Sequence, residues 1–302
     1  TNFKRINKTL PCSQKTEVLK GLRAGFRGTP QINPERILAF TGSDLLTSFF
    51  IRKPDICKIV RFRTESYGIK KNLLNRFLYS KCDRIITGNN KIKDEILTLG
   101  VDSQKVQTVY LGVDTEKFKV SMLPAKVKIG FLGRLDRVKG IDVLCEAMNI
   151  VWRSFPAAEL YIAGDEVNYR WDNIRKDFKG YVKYMGRISY DKVPGFLGDC
   201  LFGVIPSTGS EATSRALIEW WASGRTVVAT SVGILEEAVS DGQNGLLVMP
   251  SDSRAFATAI ISLIENRTLL ESMSQAARKT VSSEFSIESF EKKLDICFNS
   301  NQ

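Results

Sequence analysis

"CLFGVIPSTGSEATSRALIEWWASGRTVVATSVG", residues 200–233, decides the fold. The opening run, "CLFGVIP" (200–206), is apolar and ends in Pro206, so it reads as a short buried strand. "TSRALIEWWA" follows, rich in good helix formers, with Ala216, Leu217, Trp220 and Trp221 as its apolar positions. Thr213 or Ser214 is placed to cap its start and Gly224 to end it. "RTVVATSVG" (225–233) reads as a second strand. Strand, loop, helix, strand is the βαβ unit from which parallel sheets are built. Ligands of such sheets bind beyond the carboxyl ends of the strands, where helix amino termini point. Glu211 stands at that place, and Glu219 follows within the helix. Eight residues of continuous helix would separate the two carboxylates by roughly 12 Å and two turns plus about 80°. Both would then line one side of a cleft at different depths. A cap-region acid followed by a partly solvated helix glutamate fits the same spacing.

The chain of 302 residues is long enough for two domains or one large one. Its apolar fraction, 43%, is ordinary for a protein that buries its own core. No apolar run reaches the length of a membrane span. The opening "TNFKRINKTLPCSQ" lacks the pattern of a secretory signal, and the absence of an initiating Met suggests a fragment or a processed product. Six scattered cysteines without a C-x-x-C pair argue against a metal site or disulfide framework and for a reducing cytosol. With no histidine present, a His base and His-rich metal ligation are both excluded.

Charge is divided unevenly. Residues 1–120 hold 23 Lys and Arg against 11 Asp and Glu, and the remaining 182 hold 21 against 22. The basic half points to an anionic surface, with Lys53, Lys58, Arg61, Arg63, Lys70 and Lys71 expected around two helices there. It lacks interleaved aromatics and any nucleic-acid motif, so no nucleic-acid partner is expected.

Alternation of strand and helix runs throughout. Strand-like "RILAF" (36–40), "KIVRFR" (58–63), "DRIITG" (83–88) and "KVQTVYLGVD" (105–114) are separated by helix-like segments at 44–53, 69–81 and 91–100, and a short amphipathic piece lies at 17–26. After a polar link come strand "VKIGFLGRL" (127–135), helix "IDVLCEAMNIVWRSFP", strands "AELYIAGDE" and "YVKYMGRIS", short helix "DKVPGFLGD" and the stretch quoted above. "LLVMPSD" and two helical segments close the chain. Two doubly wound α/β domains, 1–120 and 121–302, are the economical fold. In "GFLGRLDRVKG" (130–140), Gly133 and Gly140 flank Arg134 and Lys139 at a strand-to-helix turn. Glycines allow close backbone approach, and two cations near a helix start suit a phosphate. A solvated turn has the same composition.

Taken in order, "KIGFLGRLDRVKGIDVLCEAM", "LYIAGDE", "VIPSTGSEATSRALIEWWASGRTVVATSVG" and "DGQNGLLVMPSD" resemble the nucleotide-sugar domain of family 4 glycosyltransferases, retaining enzymes of the GT-B fold. "YLGVDTEKF" (110–118) resembles the family's interdomain hinge. The segment "IVRFRTESYGIKKNLLNRFLYSKCDRIITGNNKIKDEIL" looks like the acceptor domain of members that build lipopolysaccharide and other envelope glycans. The resemblance covers roughly residues 35–290. It implies two Rossmann-like domains facing a cleft, the first one short and incomplete at its amino terminus. It implies transfer of a sugar from a nucleotide-sugar donor to a lipid-linked or glycan acceptor, at the cytoplasmic face of the inner membrane, without metal or cofactor. Carried over, Glu219 would accept from the ribose hydroxyls and Glu211 would face the transferred sugar. The diphosphate would lie near Gly133, Ala212, Thr213 and Ser214, neutralised by Arg134 and Lys139. Glu211, Arg134 and Lys139 would then carry catalysis. The chain departs from the family at Thr64 and Glu65, where a histidine is usual. It departs again at Ala212, in place of a glycine, and at Ile234 and Glu236, in place of Gly and Pro. Those departures suit a binding or scaffold subunit that keeps the donor pocket. A nucleotide-sugar epimerase, which shares the fold, is a further alternative; the acid–base carboxylates it needs are not identified in the sequence.

Overall fold

The computed structural model describes residues 16–18, 36–40, 42–51, 58–64, 68–209 and 211–299. The chain forms two compact units, one comprising 1–110 with 291–302 and the other 111–290. The amphipathic piece expected at 17–26 lies outside the described residues beyond Val18, as do Lys53 and Glu65.

In the first unit, strands β1 (Thr16–Val18), β2 (Arg36–Ala39), β3 (Lys58–Arg63), β4 (Arg84–Thr87) and β5 (Val106–Thr108) pair in parallel and in chain order. Helices α1 (Gly42–Ile51), α2 (Leu73–Ser80) and α3 (Asn90–Leu97) connect them. Side-chain caps explain where two of these helices begin: Asn72 accepts from Asn75 N at 2.8 Å and Asn89 from Ile92 N at 2.8 Å. Of the basic residues expected on a membrane-facing surface, Lys58, Lys70 and Lys71 are exposed. Arg61 is not: it is 1% exposed in β3, donating from Nη1 to Ala39 O at 3.0 Å. Arg63, two residues on, is half-buried. Ile59, Val60, Arg61 and Phe62 are all buried, so both faces of β3 are covered, as in a parallel sheet layered on both sides.

The second unit carries strands β6 (Lys128–Leu132), β7 (Glu159–Ala163), β8 (Tyr181–Tyr184), β9 (Phe202–Ile205), β10 (Val227–Thr230) and β11 (Leu246–Val248). All pair in parallel, in the order β11-β10-β9-β6-β7-β8. The chain leaves β6 toward β7 and returns across it to β9, so strand order reverses between β6 and β9. The helices are α4 (Ile141–Ser154), α5 (Trp171–Ile174), α6 (Val193–Gly198), α7 (Arg215–Ala222), α8 (Ile234–Ala238), α9 (Ser253–Glu265), α10 (Arg267–Glu284) and α11 (Ile287–Asn299). Ile129, Phe131, Leu144, Met148, Leu160, Phe202, Phe256 and Ile260 form the heart of a continuous apolar core.

Three helices close the chain where two were expected. Asn266 stops α9 and caps α10, its side chain accepting from Leu269 N at 2.9 Å, and Ser286 Oγ accepts from Ser289 N at 3.1 Å to begin α11. These caps divide what periodicity alone joins. The last of the three starts in the second unit and finishes in the first.

Candidate functional site

The seam between β6 and β9 is built for close approach. Gly130 and Gly203 are register partners across it, and a Cβ on either would lie 2.4 Å from the Trp220 ring. Glycine in both strands thus lets the indole lie flat over the seam, which seats α7 on the sheet where strand order reverses. A crevice at such a reversal is the usual ligand position in an open parallel sheet.

Three loops meet beyond the strand ends. Gly133 N donates to Ala163 O at 2.9 Å and Leu135 N to Asp165 O at 2.8 Å, tying the loop after β6 to that after β7. On the other side, Thr208 N donates to Val138 O at 3.0 Å, tying it to the loop after β9. Gly140 closes this junction at φ +68°, and a Cβ there would stand 1.9 Å from Pro206 O. Both the backbone angle and the space require glycine.

Inside the junction, Lys139 Nζ pairs with Glu211 Oε1. Ser207 Oγ donates to the same oxygen at 2.5 Å, and Thr230 Oγ1 donates to Ser207 O at 2.5 Å. Ile234 N donates to Glu211 O at 2.8 Å, which fixes the backbone as well as the carboxylate. Glu211 is 4% exposed and Ser207 1%, so this is a buried charged network contributed by the loops after β6 and β9 and by the last residue of β10. Arg134 is placed differently. It is largely exposed, with Nη2 3.6 Å from Asp136 Oδ2. Asp136 in turn caps the turn at 137–139, accepting from Val138 N at 3.3 Å.

The segment holding the two glutamates departs from a continuous helix. Ser214 takes φ +23° and makes no side-chain cap, so α7 begins at Arg215 and 211–214 is not helical. The separation of roughly 12 Å, which assumes helix throughout, therefore does not apply. Of the two expected caps Ser214 holds the position but its Oγ is buried with no hydrogen-bond partner among the described residues. Ala212 and Thr213 are half-buried beside it. Gly224 ends the helix as expected, in the left-handed region at φ +68°.

Glu219 is 4% exposed, so it is not a solvated glutamate. Its Oε1 has no hydrogen-bond partner among the described residues. Burial pushes its carboxyl up to about 7, against the opposing pull of Arg215 and Lys117. Lys117 lies on the link between the units' sheets, its Nζ 3.8 Å from the centre of the Tyr190 ring. A buried carboxylate held near neutrality is ready to accept hydroxyl donors, since such donors would repay the lost hydration.

Ser207 and Thr230 escape sequence reasoning, although each is a polar residue at or just past the carboxyl end of an apolar strand, which was the available signal. Arg225, fully buried, was also missed. It donates to Cys200 O at 2.7 Å, Gly198 O at 2.6 Å and Met122 O at 3.1 Å, and so fastens the segment around 121–122 to the base of β9. A separate cavity of about 620 Å³, lined by Asp165, Glu166, Arg170, Asp172, Asn173 and Tyr184, opens beyond β7 and β8 and includes none of the expected site residues.

A parallel α/β unit whose strand order reverses at its centre is a Rossmann-like domain. Residues 126–266 of this unit match the family Glycosyl transferases group 1, a span that contains every site residue named above from Gly133 to Glu219. An uncharacterized glycosyltransferase of Methanocaldococcus jannaschii is 29% identical over 224 residues, 73% of this chain and 60% of that protein. A phosphatidyl-myo-inositol mannosyltransferase of Mycolicibacterium smegmatis is 30% identical over 145 residues, 46% of this chain and 36% of its own length. The chain thus spans only part of these curated relatives. Among solved structures, Anabaena HepE in complex with UDP and glucose superposes with a TM-score of 0.77 at 20% identity, covering 89% of this chain and 78% of that one. Two Rossmann-like parallel α/β units are the fold shared with such GT-B glycosyltransferases.

Proposed function

We propose that the protein is a retaining, metal-independent glycosyltransferase that moves a sugar from a nucleoside diphosphate donor to a lipid-linked or glycan acceptor. The observation that carries the reading is the Lys139–Glu211–Ser207 network at the β6/β9 reversal, with the bare carboxylate oxygen of Glu219 on the adjoining helix. Glu219 accepts the ribose hydroxyls. The diphosphate lies against the loop after β6, where Lys139, and Arg134 from the surface, offset the negative charge that grows as the phosphate leaves. Glu211 holds Lys139 in place and faces the hydroxyls of the sugar. The departing phosphate takes the acceptor's proton, so the chemistry runs without a side-chain base, in keeping with a chain that has no histidine. UDP-sugars are the first donors to try, because a solved relative holds UDP with glucose. The excess positive charge of the first 120 residues supports an acceptor presented at an anionic membrane face. No helix among the described residues is long and apolar enough to span a bilayer.

Calorimetry with UDP, GDP and ADP tests the reading. One of them is expected to bind to the parent protein and to lose affinity by about 1.5–3 kcal/mol in Glu219→Ala, the range for a hydrogen bond to a charged group. Equal affinity in parent and variant would place the nucleotide elsewhere.

A further inference from the structure

Helix α2 carries its apolar residues on the wrong side for a helix that serves only the core. Leu73 is 83% exposed, Leu74 56% and Phe77 56%, whereas Leu78 and Tyr79 are buried. At 100° per residue, positions 73, 74 and 77 fall within an arc of about 100°, so the three form one outward stripe. The stripe is ringed by cations. Lys70, Lys71, Arg76 and Lys81 are exposed around it, with Lys81 Nζ 5.9 Å from the centre of the Phe77 ring. Residues 68–82 contain no Asp or Glu at all. Arg76 Nε donates to Leu99 O at 3.3 Å and the Lys81 backbone N–H closes the helix on Phe77 O and Tyr79 O, so the stripe is held on a fixed scaffold.

We infer that α2 is a membrane-insertion element, with Leu73, Leu74 and Phe77 entering the acyl region of an anionic leaflet while the lysines remain among the headgroups. Charge complementarity selects the occupant. Long cationic side chains flanking a short apolar stripe snorkel to the headgroup level, which is the pattern of helices that lie in the interface. An acidic protein surface would satisfy the lysines but would leave the three exposed apolar side chains without a role. The inference deepens the membrane part of the proposed function: it names the element that docks and adds an apolar contribution that salt does not screen. It stands or falls without the transfer activity, because vesicle binding requires no donor.

Flotation of the full chain with vesicles of phosphatidylcholine alone and with 30% phosphatidylglycerol, at low and high salt, tests it. The parent is expected to float with the anionic vesicles, more weakly at high salt and only slightly with the neutral ones. Leu73→Ser with Phe77→Ser should lower partitioning by roughly tenfold or more per residue, the fold-change for withdrawing a large apolar side chain from an apolar phase. Lys70→Gln with Lys71→Gln should lower it at low salt and leave the high-salt residue unchanged. Both pairs are exposed, so melting temperatures should match the parent. Phe77→Trp adds a probe to a unit without tryptophan, since Trp152, Trp171, Trp220 and Trp221 all lie in the second unit. Its emission should be quenched by brominated acyl chains. Partitioning of the serine variant equal to the parent's, or no quenching of bound Phe77→Trp, would overturn the inference. So would concentration-dependent self-association in the absence of lipid that the serine substitutions abolish, because α2 would then meet a second copy. Intact flotation without turnover on any donor would count against the transferase and leave α2 as assigned.

Discussion

Replacing Glu219 by Gln isolates the cost of one buried charge. The substitution preserves shape and keeps an acceptor oxygen, but it cannot ionise. An unfolded glutamate loses its proton near 4.5, whereas burial holds Glu219 protonated up to about 7. Between those values the folded protein binds more protons than the unfolded one. Stability therefore falls as pH rises from 4.5 through 7 and levels off above. Integrated over that window, the difference amounts to about 3 kcal/mol. At pH 5 the glutamate and glutamine proteins should differ little from this cause. By pH 8 the variant should be the more stable by up to about 3 kcal/mol. Urea denaturation followed by tryptophan fluorescence reads the effect cleanly. All four tryptophans lie in the second unit, and Trp220 is the next residue in the chain, so the signal reports that unit and not the first. A stability difference that is the same at pH 5 and pH 8 would refute the buried-charge account. In nucleotide titrations the same residue should act in reverse. Ribose hydroxyls favour the carboxylate, so affinity in the parent is expected to fall as pH drops below about 7, and that dependence should vanish in Glu219→Gln.

The remaining predictions concern the junction. Lys139→Ala strands the buried carboxylate of Glu211, so it should cost about 2 kcal/mol or more in stability, and the double variant with Glu211→Ala should recover part of that loss in a mutant cycle. The same Lys139→Ala should lower turnover by about two orders of magnitude, as does loss of an oxyanion donor, while exposed Arg134→Ala should lower it less; equal effects in steady-state rates would put the diphosphate nearer Arg134. Gly140→Ala should destabilise by more than about 1 kcal/mol and lower activity together, because its Cβ meets Pro206 O and its φ is +68°; an unchanged denaturation midpoint would contradict the close approach.

What is local could be read from the chain alone. Apolar runs such as 202–205 and 227–230 specify strands whatever lies beside them, and the stretch from β9 through α7 to β10 announces a parallel α/β unit because its periodicity changes from run to helix to run. Gly133, Gly140, Arg134, Lys139 and Glu211 could be picked out as candidates for the same reason: glycines and charges cluster at strand-to-helix turns. Which of them meet was not legible. Lys139 and Glu211 are 72 residues apart, and only the reversal of strand order beside β6 brings their loops together. Ser207 and Thr230 enter the site solely as neighbours of that pair. Glu219 and Arg61 resemble ordinary surface charges in the sequence, yet each is almost fully buried, because a residue's exposure depends on what the other layers of the fold place over it. The start of α7 at Arg215 follows Ser214, one of the two cap positions open to the sequence; the positive φ at Ser214 and the tie between Ile234 N and Glu211 O accompany that choice. Sequence order specifies the elements one at a time; the pairing of charges and the burial of Glu219 arise from contacts between segments far apart in the chain, for which a linear pattern carries no signal.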